Sequence, residues 1–116
     1  MTPFGARLRA LREARGVTLA QLADAIQVSS AYLSALEHGR RGRPSAGLIH
    51  QVNEFFGLIW DEADELARLA ALSHPRVTID TAGLSPEATE LANRLAERVR
   101  RLSPETLRAL LDTLGH

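Results

Sequence analysis

Arg40, Arg41 and Arg43 crowd three guanidinium groups into four consecutive positions of this 116-residue chain. Guanidinium groups suit phosphate oxygens, to which they give charge-assisted and often bidentate hydrogen bonds. Just upstream, Ser29, Ser30, Ala31, Ser34 and Ala35 offer short hydroxyls and methyls. Such groups make single hydrogen bonds to base edges or touch thymine methyls. Other chemistries find little to use. The chain has no cysteine, which excludes a disulfide framework and a thiolate metal site. The histidines, His38, His50, His74 and His116, show no close metal-ligand spacing. Asp61, Glu62, Asp64 and Glu65 read as a solvated helix start. With no glycine-rich phosphate loop and no catalytic motif, the expectation is a protein without cofactor, metal or enzymatic activity.

The elements that position these residues are legible from caps and periodicity. Thr18 followed by Gln21 makes a capping box, and Leu19, Leu22, Ala23 and Ile26 then form an apolar stripe at helical spacing. After Val28, Ser29 or Ser30 caps a second helix, whose Leu33 and Leu36 point inward and whose small residues are left outward. Two short helices joined by so brief a turn have the layout of a helix-turn-helix, whose second helix enters the DNA major groove. Upstream, a helix from Pro3 or Phe4 to Arg15 carries Phe4, Leu8 and Leu11 on one face and ends at Gly16. Downstream, Ser45 caps a helix containing Leu48, Ile49, Val52, Phe55 and Phe56, with Gly57 past its end. Asp61 to Ala71 forms a fifth helix, acidic in its first turn, expected to bury Leu66, Ala67 and Leu69.

Residues Phe4 to about Leu58 resemble the helix-turn-helix domain of the Cro/cI-type (XRE) regulators. The resemblance rests on Leu22-Ala23, Val28-Ser29, Tyr32-Leu33-Ser34 and Leu36-Glu37-His38-Gly39, in that order and spacing, followed by the basic segment Arg40 to Ser45. It implies an all-α fold: a five-helix, lambda-repressor-like DNA-binding domain over residues 1–72. It also implies a salt bridge between Arg12 and Glu37. For double-stranded DNA, Ser29, Ser30, Ala31, Ser34 and Ala35 are expected at base edges. Thr18, Gln21, Tyr32, His38, Arg40, Arg41 and Arg43 are expected at phosphates or, for Arg43, in the minor groove. The chain departs from the family where Leu19 stands in place of a common phosphate-contacting glutamine. Gln27 replaces the usual turn glycine, which requires a positive backbone angle of it. The recognition helix also has no outward Arg, Asn or Gln for bidentate base contacts, so readout is expected to draw on DNA shape as well.

Net charge is zero, but its distribution is uneven. Residues 1–60 hold seven arginines against four acids, a balance of +3, and residues 61–116 hold seven against ten, a balance of −3. The basic half is the one with the helix-turn-helix. No apolar run reaches the roughly 18 residues of a membrane span, and the N-terminus has no charged region followed by an apolar block. No membrane association is expected, and the cytoplasm is the expected location.

Residues 73–116 differ in kind. Arg76 to Asp80 alternates with β-branched residues and suggests a short extended segment, pairing across a dimer or serving as a linker. Thr81-Ala82-Gly83 reads as a turn. Ser85-Pro86-Glu87 and Ser103-Pro104-Glu105 are two helix starts of one design. The helices they open carry Leu91, Leu95 and Val99, then Leu107, Leu110, Leu111 and Leu114. Two such helices cannot bury their apolar faces alone, and homodimerisation through this tail is the favoured expectation. The chain then reads as a repressor binding an inverted-repeat operator as a homodimer. The alternative is an antitoxin or adaptor whose tail binds a partner protein, with DNA binding secondary.

Overall fold

A computed structural model describes residues 1–115, so His116 lies outside the described residues. The described chain is all-helical, with no strand: α1 (Pro3–Arg15), α2 (Leu19–Ala25), α3 (Ser30–Glu37), α4 (Ala46–Phe56), α5 (Asp61–Ala71), α6 (Pro86–Arg98) and α7 (Pro104–Leu114), plus a single 3-10 turn at Val99–Arg101. Contacts divide it into two units, Met1–Val77 and a second beginning at Thr78.

The helix boundaries follow from side-chain chemistry. Six of the seven helices begin at a Ser or Thr whose oxygen accepts from a backbone N–H three residues on: Thr2, Thr18, Ser29, Ser45, Ser85 and Ser103. Each bond satisfies one of the amides a helix start leaves orphaned. α5 is the exception. Its N-cap is Trp60, at φ 53°, with no side-chain cap, and the acids Asp61, Glu62 and Asp64 in its first turn complement the positive end of the helix dipole instead. Gly16 and Gly57 close α1 and α4 in the left-handed conformation, which glycine adopts without a Cβ penalty.

One core unites the first unit. Phe4, Leu8 and Leu11 of α1 meet Leu22, Ala23, Ile26, Leu33 and Leu36 of the helix-turn-helix, and Leu48, Val52, Phe56, Leu58, Leu66 and Ala70 complete it. In α5 the buried pair is Leu66 and Ala70, while Leu69 is half-buried and Ala67 is exposed. Leu66 is thus buried as expected and Leu69 in part, whereas Ala70 takes the place expected of Ala67. The i, i+4 spacing of Leu66 and Ala70 defines the stripe, and Ala67 lies a full 100° around the helix from Leu66.

Two contacts tie α1 down. The Phe4 N–H donates to the buried Ser73 hydroxyl (2.9 Å), which itself donates to the Leu69 carbonyl (2.6 Å). The first turn of α1 is thereby clamped to the end of α5. On its other side, Gly5 lies directly against the Glu37 backbone: a Cβ there would sit 2.7 Å from the Glu37 Cα and 2.8 Å from its carbonyl carbon.

In the second unit, Asp80 Oδ1 accepts from the Ala82 N–H (2.9 Å) and the Leu84 N–H closes onto the Thr81 carbonyl (3.0 Å), with Gly83 at φ 80°. This is the expected turn. Val77 to Asp80 is irregular and has no ladder partner among the described residues. No described helix is long and apolar enough to cross a membrane.

Gly5→Ala is expected to lower stability by about 1–3 kcal/mol through overpacking against backbone that cannot move aside. Alanine's higher helix propensity would by itself raise stability by roughly 1 kcal/mol. Urea denaturation followed by circular dichroism therefore reads the effect by its sign, and a stabilised variant would refute the close approach.

Candidate nucleic-acid interface

α2 and α3 are joined by a closure in which the Gln27 N–H donates to the Asp24 carbonyl (3.2 Å) and the Val28 N–H to that of Ala23 (3.0 Å). This is a Schellman-type ending, with Gln27 at φ 59°. The positive angle expected of Gln27 is present, with the strain it brings a non-glycine residue. Val28 is half-buried against the core, and Ser29 follows as N-cap of α3, its oxygen accepting from the Tyr32 N–H (3.0 Å).

This geometry presents the first turn of α3 outward. Ser29, Ser30 and Ala31 are exposed, while Ser34 and Ala35, one turn on, are half-buried. The Ser29 oxygen gives one lone pair to the cap, which leaves its hydroxyl proton and a second lone pair for a ligand. Thr18 and Gln21 are exposed and complete the capping box of α2, with Thr18 N–H to Gln21 Oε1 at 2.9 Å and Gln21 N–H to Thr18 Oγ1 at 3.1 Å. Gln21 thus has one lone pair of its oxygen engaged and its Nε2 left as donor. The amino ends of α2 and α3 carry partial positive charge, which favours phosphate.

The basic segment sits beyond the other end of α3. His38 Nδ1 lies 2.8 Å from the Ser34 carbonyl; a carbonyl only accepts, so Nδ1 carries the proton. Gly39 at φ 74° then turns the chain away. Arg40, Arg41 and Arg43 are all exposed, and Pro44 between Arg43 and Ser45 is buried. The Arg41 guanidinium lies 5.6 Å from the centroid of the Tyr32 ring, within cation–π range, so one of the three arginines leans over α3. Tyr32 also borders an open depression shared with Ser29, Ser45, Gly47 and Gln51. Ser45 caps α4, so the amino ends of α3 and α4 face one concavity. Residue patterns did not single out Gln51, Gly47 or Ser45 for this place. The signal was available only as a helix start, since which helix starts converge is a matter of packing.

Behind this surface, Glu37 is 1% exposed and held by a fork from Arg12: Nε to Oε2 at 3.1 Å and Nη2 to Oε1 at 3.2 Å. Arg12 Nη1 also donates to the Val17 carbonyl (3.3 Å), and Arg9 approaches from the rim at 3.8 Å. Two carboxylate oxygens and three guanidinium nitrogens are thereby engaged. The pair joins α1 to the carboxyl end of α3 and fixes that helix along its length. Elsewhere, His50 and Glu54 make an exposed i, i+4 surface pair at 3.0 Å. Among the described residues, no three His, Asp or Glu side chains gather where they could hold a metal ion.

A family model described as a helix-turn-helix domain matches residues 3–69, more than half of the chain. The chain belongs to the helix-turn-helix family. It is of the Cro/cI (XRE) type that its motifs resemble. This helix-turn-helix protein is 46% identical over 54 residues to the HTH-type transcriptional repressor RghR of Bacillus subtilis (strain 168), covering 47% of this chain and 40% of RghR. It is also 46% identical over 52 residues to RghRB of the same organism, an uncharacterized HTH-type transcriptional regulator, covering 45% of this chain and 37% of RghRB. The match thus spans less than half of either relative. No solved structure gives a significant match.

Arg12→Met, which strands the Glu37 carboxylate in the core, is expected to destabilise the first unit by about 3–5 kcal/mol. Arg12→Met with Glu37→Leu should recover most of that loss. Chemical denaturation of the three proteins checks this, and equal stability of the single and double variants would show that the buried charge is not what the arginine compensates.

Proposed function

We propose that this protein is a sequence-specific double-stranded DNA-binding transcriptional regulator: a repressor that occupies an inverted-repeat operator as a homodimer. In this reading residues 1–72 bind DNA and residues 73–116 dimerise. The observation that carries it is the exposed first turn of α3, with Ser29, Ser30 and Ala31 outward and Arg40, Arg41 and Arg43 exposed beyond its far end. α3 enters the major groove, with Ser29, Ser30 and Ser34 donating or accepting single hydrogen bonds and Ala31 and Ala35 contacting thymine methyls. Thr18, Gln21, Tyr32, His38, Arg40 and Arg41 contact phosphates, and Arg43 follows the backbone or enters the minor groove. Repression is supported by the name of RghR.

One helix-turn-helix touches few base pairs, and its single hydroxyl contacts are weaker than bidentate ones. A two-fold dimer doubles the contacts and places the two recognition helices about one DNA turn apart. Leu91, Leu95, Val99, Leu107, Leu110, Leu111 and Leu114 form the dimerisation surface.

The experiment is genome-wide footprinting of the purified protein on fragmented DNA of its source. A few inverted-repeat sites with half-sites about one helical turn apart are expected. Weak, salt-labile and sequence-blind binding would overturn the operator reading in favour of a partner-protein role for the tail. Arg43→Ala should weaken binding to all sequences and reduce the slope of log K against log salt by about one unit. An unchanged slope would remove Arg43 from the phosphate contacts. Ser34 replaced by a bulky residue should change the preferred site in a selection from random DNA, and an unchanged site would mean a different docking of α3.

A further inference from the structure

Two well-made helices in the second unit have nothing beneath them. α6 and α7 each open on a Ser cap, a Pro and a Glu, yet no described residue from Thr78 onward is buried. Leu84, Leu91, Val99, Leu111 and Leu114 are between 45% and 76% exposed. Helices of 13 and 11 residues are marginal in water without a packed face, so this apolar surface requires an occupant.

The charges beside it indicate which. On α6 the apolar stripe runs through Ala88, Leu91 and Leu95; Glu87, Arg94 and Arg98 line one flank of that stripe, with Glu90 about 40° further round behind Arg94. Along this side the order is acid, acid, base, base. Read backwards, it is its own complement. Arg94 and Glu90 already pair within the helix at 2.6 Å, both side chains more than half exposed, so these groups stand out at the edge of the stripe.

We infer that the apolar face of α6 packs on the same face of a second copy of this chain, antiparallel, about a two-fold axis near residues 92 and 93. This rests on the homodimer proposed above and adds its register. Glu87 then opposes Arg98 of the second copy, Glu90 opposes Arg94, and Leu91 opposes Leu95. The three pairs are centred on 92.5, 92 and 93, within half a residue of one axis. Antiparallel helices bring like flanks together, so charge and apolar pairing share one register. A parallel arrangement brings opposite flanks together, setting these charges against the uncharged Thr89, Asn93 and Ala96 and leaving them without complements. The contact is isologous, each pair occurring twice, and closes at two copies.

The test is analytical ultracentrifugation of the full chain as wild type, Glu87→Arg, Arg98→Glu and the double variant. Each single change turns two attractions into repulsions and should weaken the dimer on the order of tenfold at low salt; the double change should restore it. Both changes oppose the α6 dipole, so restoration in the double variant can come only from pairing between copies, and circular dichroism verifies that the helices remain. Single variants that dimerise as wild type does, or a double variant weaker than either, would overturn the register while leaving the dimer standing. A wild type that stays monomeric at every concentration overturns the dimer and the register together. Because the chain has no cysteine, a second readout is clean. Ala92→Cys, beside the axis, should form a disulfide-linked dimer on mild oxidation, and Ala88→Cys should not. Efficient cross-linking at Ala88→Cys would mean parallel helices and refute the proposal.

Discussion

The buried carboxylate of Glu37 is the constraint around which the first unit is arranged. A charge at 1% exposure is tolerable only if its oxygens are fully engaged, because an unpaired ion in the core is strongly destabilising. The Arg12 fork supplies that engagement, and it can do so only if α1 lies within reach of the last turn of α3. Gly5 permits the approach by having no side chain where the Glu37 backbone passes, and the Thr2 N–H reaches the Glu37 carbonyl at 3.4 Å. Charge pairing, close packing and backbone bonding thus converge on one residue at the end of the recognition helix. Apolar packing by Leu33 and Leu36 holds that helix against the core. The ion pair adds a directional contact between that helix and α1.

Small hydroxyl residues carry a second theme. The same side-chain type that opens every described α-helix but α5 by satisfying an orphan amide also supplies the polar groups of the outward α3 surface. Ser29 belongs to both sets: its oxygen is held by the Tyr32 N–H. A hydroxyl fixed in this way has little rotational freedom to lose when it meets a ligand. The rigidity of the surface therefore begins at the cap.

Much of this was legible in the residue pattern, because capping and glycine endings are local chemistry. Thr18 with Gln21, Ser45, Ser85 and Ser103 mark helix starts that the structure places where the sequence does, and Gly16 and Gly57 mark the endings. Non-local chemistry was not legible. Nothing around Ser73 distinguishes a buried hydroxyl bridging two helices from an ordinary loop serine, since its partner Phe4 is 69 positions away. Gly5 likewise reads as a poor helix former until the Glu37 backbone is seen beside it. Ala67 and Ala70 are chemically identical, and only the rotation of α5 against its neighbours decides which is covered. At the candidate interface, the arginine cluster and the small residues of α3 were visible as types and spacing. The stacking of Arg41 over Tyr32 and the meeting of the α3 and α4 starts depend on how the chain turns after Gly39.

The bridge from Phe4 to Ser73 has a consequence for the order of events on the ribosome. The first helix is synthesised early, but one of its leading amides finds its partner only when residue 73 is made, and Glu37, the carboxylate that Arg12 holds, emerges midway between. α1 is thus born with a face and an amide that must wait. The contact that joins α1 to the end of α5 therefore cannot form until residue 73 is made, and a chain that stalls short of it leaves that closure unmade.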